Sequence, residues 1–392
     1  MTAANRFRFR FTPMALLFLI FSTGYSSAQT AKNDYTIKGW WTGQASPFSP
    51  VVHSDRHITF RFKAPHAARV ELNFGEWDVK GQAMKKDTSG IWTITIGPVE
   101  PEIYGYTFNV DGTTTLDFEN PKAKIGQTVF SSVVEVPGNP PRFDEIQNVP
   151  HGSLHIVKYI SNPLKRLRSV YVYTPPDYAK NSSGRYPVLY LRHGGGDTEA
   201  SWSQDGCAGT ILENLIAGNK AVPMIIVMTN GMTDGSWAGG STPEAMTLLE
   251  NELIGDVIPL IEKNFRVKEG SENRAIAGLS MGGGQAFVMG LHNQKKFAWI
   301  GEFSSGLLSA AEFDLDKIVP EVLKDSSAVN KNVRLLWVAC GKNDPRYNGH
   351  LNLSSLLNSR GIHHEFHDMP GGHEWKVWRH QLNDFMQRIF RK

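Results

Sequence analysis

From about residue 35 to 136, apolar and polar positions alternate with a period of two. The runs are Ile58-Thr-Phe-Arg-Phe62, Arg69-Val-Glu-Leu72, Ile91-Trp-Thr-Ile-Thr-Ile96 and Tyr104-Gly-Tyr-Thr-Phe-Asn-Val110. Such alternation predicts short strands with one face buried, because successive strand side chains point to opposite faces. Asp-Gly, Ser-Gly and Gly-Pro pairs interrupt the runs at short spacing, and helical periodicity is absent, so the region over 29–136 is predicted to be an all-β sandwich. Pro137-Gly-Asn-Pro-Pro141 closes it and opens a linker over 137–152.

Two extended segments follow, Leu154–Ile160 and Arg168–Tyr173, and then the pattern changes. Strand-like runs, most of them apolar, at Pro187–Arg192, Met224–Thr229, Arg274–Leu279, Trp299–Phe303, Val333–Ala339 and His363–Asp368 alternate with helical stretches. The helical stretches are Ala208–Ala217, Pro243–Asn264, Met281–Leu291, His350–Ser359 and Glu374–Phe390. Strands that are apolar on both faces and separated by helices predict a mostly parallel sheet with helices on both sides, here over 153–392.

The N-terminus is patterned differently. Arg6, Arg8 and Arg10 precede the apolar run Met14–Phe21, and small residues follow up to Ala28. This is the layout of a cleavable export signal over 1–28 and predicts a secreted or periplasmic protein. The apolar run, about eight residues, is short against the roughly 20 that a spanning helix needs. A membrane-anchored N-terminus is the competing reading.

Charge takes its meaning from that segment. The formal net charge is +3, and the segment holds three arginines and no other charged residue. The remainder is neutral, which speaks against nucleic acid or an anionic membrane as partner. With 41% hydrophobic and 20% charged residues among 392, the chain has the material for folded domains rather than disorder. Cys207 and Cys340 are its only cysteines. They are expected to be free thiols, and two cysteines exclude a cysteine-rich zinc site.

The candidate chemistry sits at the ends of the predicted parallel strands. Gly278-Leu-Ser-Met-Gly282 follows the strand Arg274–Leu279 and opens a helix. That strand–turn–helix context is what a G-x-S-x-G nucleophile elbow requires, and it makes Ser280 the candidate nucleophile of an α/β-hydrolase fold. A plain glycine-rich packing turn is the alternative. A serine hydroxyl needs a base, and the base needs an orienting acid. Of the histidines after Ser280, His373 lies in the glycine loop Pro370-Gly-Gly-His373, between the last strand and the last helix, where it can reach back over the sheet edge. Asp344, in the loop Cys340-Gly-Lys-Asn-Asp344, is the favoured acid, because a separate loop can approach His373 from its far side; Asp368 is the competitor. The tetrahedral intermediate needs an oxyanion hole. Its expected donors are the N–H of Met281 and that of Gly194 or Gly195, in the HGGG-type loop His193-Gly-Gly-Gly196. No metal or organic cofactor is implied. His53 with His57, and His363, His364 and His367, lack companion ligands and read as solvated.

Several blocks carry a resemblance. Tyr171-Val-Tyr-Thr-Pro-Pro-Asp-Tyr178, Tyr186-Pro-Val-Leu-Tyr-Leu-Arg-His-Gly-Gly-Gly196, Pro223–Gly231, Ala275-Ile-Ala-Gly-Leu-Ser-Met-Gly-Gly283, Cys340–Asp344 and Gly371-Gly-His-Glu-Trp-Lys-Val-Trp378 occur in the order seen in esterase-D-like α/β-hydrolases. The chain from about 153 onward resembles carbohydrate esterase family 1 feruloyl and acetylxylan esterases. Residues of about 35–136 resemble a family 48 carbohydrate-binding module or a related early-set, immunoglobulin-like domain, on Val70–Trp77, Gly90-Ile-Trp92, Tyr104–Gly112, Asp117 and Asn120-Pro121, which implies an immunoglobulin-like sandwich.

The resemblance implies Ser280, Asp344 and His373 as a triad. It also implies release of feruloyl groups from arabinoxylan, with a plant cell-wall polysaccharide as partner. Acetylxylan and enterobactin-type siderophore esterases are the enzymatic alternatives, and a carbohydrate-binding protein on an inactive hydrolase scaffold is the non-enzymatic one. Trp77 and Trp92 are candidates to stack on sugar rings, with core packing as the alternative. Trp202, Asn230, Trp237 and Trp375 are candidates to line the substrate pocket. Deletion of residues 29–136 is expected to spare small aryl esters and to reduce release from polymeric xylan. Equal loss on small and polymeric substrates would mean that the sandwich supports folding or shapes the pocket.

Overall fold

A computed structural model of the chain describes residues 49–75, 80–307, 319–320 and 324–391. The export-signal segment 1–28 and Trp77 lie outside the described residues. The alternating region forms two antiparallel sheets. One runs Val51–Val52, Ile58–Lys63, Ile91–Ile96, Lys85–Lys86; the other runs Gln82–Ala83, Val70–Phe74, Ile103–Val110, Val129–Glu135, Ala123–Ile125, with Thr113–Thr115 against Ile103–Val110. The inward alternate positions Ile58, Phe60, Val70, Leu72, Trp92, Tyr106, Phe108 and Val134 meet between the sheets. Each large apolar side chain removed from water there contributes about 1.5–3 kcal/mol.

Trp92 therefore departs from expectation. Alternation puts it on the inner face with Ile94 and Ile96, and it is only 7% exposed. Its indole N–H donates to the Ala64 carbonyl at 2.9 Å. It is a core residue and offers no open face to a sugar.

The segment 137–152 has no strand or helix, yet it is tied down. Arg142 pairs with Asp144 and Glu145, and the Asn214 side-chain amide donates to the carbonyls of Phe143 and Glu145. Both the sandwich and the α/β layers belong to one compact unit, Pro47–Lys392.

The second half is one eight-stranded sheet, ordered Ser153–Ser161, Arg166–Thr174, Ile225–Thr229, Val188–Arg192, Arg274–Leu279, Trp299–Phe303, Leu335–Gly341, Glu365–Met369. The first two strands are antiparallel to their neighbours and the other six are parallel. This is the α/β-hydrolase architecture expected from the sequence. One face packs Val172, Tyr190, Val227, Ile276 and Val338 under helices Pro243–Asn264, Met281–His292 and Tyr347–Ser359. The other packs Leu191, Met228, Ala277, Leu279 and Trp337 under helices Ala208–Ala217 and Trp375–Arg388. Two covered faces are why the five central strands, Ile225–Thr229, Val188–Arg192, Arg274–Leu279, Trp299–Phe303 and Leu335–Gly341, are buried along nearly their whole length and read as apolar runs.

The predicted helix Pro243–Asn264 is interrupted. It runs α over Pro243–Glu252, π over Leu253–Val257 and α again over Ile258–Asn264. Pro259 has no N–H to donate to Gly255, and the preceding Ile258 N–H bonds the carbonyl of Leu253, five residues back.

Candidate active site

The parallel strands carry the loops of Ser280, Asp344 and His373 to one edge. Gly278 on the strand Arg274–Leu279 is level with Arg192, which precedes the His193–Gly196 loop, and with Glu302 on the next strand. Ser280 follows that strand in a strained left-sided conformation, φ 50° and ψ −118°, directly before the helix Met281–His292. Its N–H donates to Phe303 O at 2.8 Å, and its carbonyl accepts from Gly306 N at 2.7 Å. The turn is too tight for side chains at its flanks. A Cβ on Gly278 would collide with the Gly282 carbonyl, and one on Gly282 with the His193 carbonyl. The helix N-terminus behind Ser280 places a positive dipole end where negative charge would develop.

His373 and Asp344 come from separate loops, and the structure brings both to Ser280. The Ser280 Oγ to His373 Nε2 distance is 3.0 Å, and the His373 Nδ1 to Asp344 Oδ2 distance is 2.7 Å. With the proton on Nδ1, His373 donates to Asp344 and its Nε2 accepts from the serine hydroxyl. The Asp344 carboxylate is buried, and its Oδ1 accepts the Arg346 N–H at 2.9 Å. Burial alone would push this carboxyl up. The hydrogen bond and positive charge of His373 outweigh it and hold Asp344 below the ordinary carboxylate range. Asp368 is instead turned to the Tyr347 hydroxyl at 2.6 Å and Lys342 at 3.3 Å.

The glycine loop faces Ser280 from the other side. A Cβ on Gly194 would meet Leu279 Cδ1 at 2.6 Å and the Ser280 Cβ at 3.3 Å, so the loop's backbone lies against the serine. Met281 is the first residue of its helix, where an N–H has no intrahelical acceptor. His193 braces the loop from inside. Its Nδ1–H donates to Gly194 O at 2.8 Å, and its Nε2 accepts from Gly231 N at 2.9 Å. Burial lowers its pKa to about 4, so the ring stays neutral and keeps this donor–acceptor pattern near neutral pH.

The four expected pocket residues divide. Trp237 is 61% exposed and lies on the glycine loop; a Cβ on Gly195 would meet its Nε1 at 2.9 Å. Trp202 and Trp375 are corrections. They are 1% and 2% exposed and pack edge to face at 5.1 Å, and Trp202 Nε1 donates to Arg192 O at 2.9 Å. Both sit beneath the loops as core, because the helices that carry them turn them toward the sheet. Trp375 also packs on Trp378, whose ring stands edge-on to His373 at 4.8 Å. Asn230 is also a correction. Its amide donates to Glu199 Oε2 at 2.7 Å, and its Oδ1 accepts from Met232 N at 2.9 Å, so it staples two loops together instead of offering free polar atoms.

Two features near the site had no local sequence signal. Gln285 is fully buried; its Oε1 accepts from Arg192 Nε at 2.7 Å and its amide donates to the carbonyls of Gly231 and Gly240. Behind Asp344, Glu302 and His350 are fully buried and paired at 2.8 Å. His350 Nδ1 donates to Arg346 O at 2.8 Å, so this pair holds the chain just after Asp344. Both cysteines are free, as anticipated. Of the other histidines, His53 bonds Thr59, His57 pairs with Asp55, His364 bonds Ser354 and His367 pairs with Glu365. Among the described residues no group of three or more His, Cys, Asp or Glu is placed to hold a metal ion.

Comparison with known proteins agrees with this architecture. Residues 161–389 match the Esterase family, and residues 47–123 match carbohydrate-binding module 48, the isoamylase N-terminal domain. An endo-1,4-beta-xylanase/feruloyl esterase of Xylanibacter ruminicola is 33% identical over 351 residues, covering 87% of this chain and 46% of that protein. Esterase Rv1288 of Mycobacterium tuberculosis is 31% identical over 266 residues, with 56% of each chain covered. The chain thus spans about half the length of these curated relatives. Among solved structures, a ferulic acid esterase is 26% identical with TM-score 0.54, covering 61% of this chain and 98% of its own. The enterobactin esterase of Shigella flexneri, 18% identical, matches in fold across both domains, with TM-score 0.63 over 90% of this chain and 99% of its own. The chain belongs to the Esterase family and carries a carbohydrate-binding module 48 domain ahead of its α/β-hydrolase fold.

Proposed function

We propose that the protein is a serine esterase that hydrolyses feruloyl and related hydroxycinnamoyl esters carried on arabinoxylan. The observation that carries the esterase reading is the hydrogen-bonded series from Ser280 through His373 to Asp344, at 3.0 and 2.7 Å. The substrate class is supported by the feruloyl esterase relatives and by the exposed indole of Trp237 beside the glycine loop, a face suited to an aryl acid.

The proposed reaction has two stages, acylation and deacylation of Ser280. His373 Nε2 takes the Ser280 proton as Oγ attacks the ester carbonyl carbon. The carbonyl oxygen becomes an oxyanion facing the N–H groups of Met281 and of Gly194 or Gly195, each such donor being worth about 2.7–4 kcal/mol. Collapse breaks the carbon–oxygen bond to the sugar, whose oxygen leaves with the proton held on His373. Water then gives its proton to His373 and attacks the acyl carbon, and a second collapse frees the acid and restores Ser280. Asp344 keeps His373 in the required tautomer and stabilises its charged form. Export through the segment 1–28 belongs to the same reading, since a polymeric plant substrate lies outside the cell.

A rate panel separates the substrates. Methyl ferulate and feruloylated arabino-oligosaccharides are expected to give the highest kcat/KM, above acetylated xylan, enterobactin and short p-nitrophenyl esters. A preference for enterobactin or acetylated xylan by tenfold or more would replace the feruloyl assignment and leave the triad chemistry standing.

A further inference from the structure

The sandwich has a second place to act. Its turn between the strands Ala123–Ile125 and Val129–Glu135 reaches the glycine loop beside Ser280. Gln127 N–H donates to Gly196 O at 2.7 Å, and Gly196 N–H donates to Trp237 O at 2.8 Å. Gly196 is thus strung between the sandwich and the loop that carries Trp237. Gln127 Nε2 also donates to Ser236 O at 3.3 Å. Phe130 stands edge-on to the Trp237 ring at 5.7 Å, which in turn covers Gly195 and Gly196. The approach is closest at Gly126, where a Cβ would collide with the Gly196 carbonyl. Gly196 itself has φ +76°, in the region that favours glycine.

The same hairpin touches the base loop. Lys124 Nζ lies 5.8 Å from the Phe130 ring centre and 6.0 Å from that of Trp375, two residues beyond His373. The docking is firm, because the buried Arg379 of the last helix pairs with Glu102 of the sandwich and with Asp144 at 2.8 Å.

We infer that the sandwich hairpin segment 126–130 is a positioning element of the active site: it fixes the glycine loop so that the Gly194 or Gly195 N–H group meets the developing oxyanion. Oxyanion donors act through preorganisation, so a loop free to shift by a fraction of an ångström would lose rate rather than ground-state affinity. The inference rests on the serine-esterase reading. It gives the module a role in turnover of substrates that contain no sugar.

Gly126→Ala, which forces the two backbones apart, and Phe130→Ala, which removes the clamp without adding atoms, are the test variants. Methyl ferulate is the substrate, because it has no carbohydrate for a module to bind. Each variant is expected to lower kcat about tenfold to a hundredfold. KM should change less than threefold, and affinity for an aryl boronic acid, which mimics the tetrahedral intermediate, should fall in parallel with kcat. Ile125→Ala, at a half-exposed position of the same hairpin, is expected to leave both unchanged. Thermal unfolding reports whether each variant is folded, and if Gly126→Ala is not, Phe130→Ala carries the test. Wild-type kcat on methyl ferulate in folded Phe130→Ala, or loss confined to polymeric substrate, would overturn the inference and leave the sandwich as a tether. Activity persisting in Ser280→Ala would instead overturn the serine-esterase reading on which it rests.

Discussion

Ser280→Ala is expected to lower kcat on methyl ferulate by about 10⁶-fold while the protein remains folded. That magnitude is what removal of a triad nucleophile costs when base and acid can no longer act through it. The fold should tolerate the change. Alanine meets the same backbone geometry as serine at φ 50°, and the bonds that fix the turn, from Ser280 N to Phe303 O and from Gly306 N to Ser280 O, are made by the main chain. Steady-state kinetics with a thermal unfolding curve on the same sample check both parts. Residual rate in the variant would report what the oxyanion donors and binding supply without the serine.

The second large effect lies behind the acid. Glu302→Ala is expected to destabilise the protein by about 3–5 kcal/mol, the cost of breaking a buried charge pair by removing one partner. The Glu302 carboxylate accepts from both His350 and the Ser305 N–H, and all of these groups are buried. Activity should fall as well, because His350 Nδ1–H holds Arg346 O while Arg346 N–H holds Asp344. The pH dependence has a definite sign. Burial opposes the charged form of His350, but the Glu302 carboxylate overrides it and raises the His350 pKa well above its ordinary value of 6.5. A raised histidine contributes its full stabilisation below about pH 6.5, the unfolded value, and loses it as pH rises through the folded value. The gap in Tm between wild type and variant should therefore be widest at mildly acidic pH and should narrow under alkaline conditions. An unchanged Tm at pH 6 would contradict this account of the pair.

Much of the molecule is legible from the chain because its signals are local. The glycines at 278 and 282 are required by close backbone contacts at the elbow, and the loops bearing Asp344 and His373 each follow a strand whose carboxyl end faces the same edge. What local pattern does not carry is the direction in which a large side chain is finally turned. Trp92, Trp202 and Trp375 have the residue type that stacks on sugars and aryl groups, yet each is packed inward by neighbours distant in the chain. Asn230 is taken up by Glu199, which arrives from the loop after another strand. The Glu302–His350 pair joins positions 48 residues apart. Gly126 reads as an ordinary hairpin glycine until the sandwich is docked on the loop at Gly196. Each of these depends on tertiary contact, whereas the elbow depends on a few consecutive residues.

The central claim, that Ser280 is the nucleophile activated by His373, is tested most directly by a p-nitrophenyl phosphonate. The serine oxygen attacks phosphorus, nitrophenolate leaves, and a stable phosphonyl ester remains in place of the acyl-enzyme. Intact-mass measurement and peptide mapping should find one phosphonyl group per chain, on Ser280, formed in step with loss of methyl ferulate hydrolysis and absent from Ser280→Ala. A phosphonyl group on another residue, or full activity with Ser280 completely modified, would contradict the account.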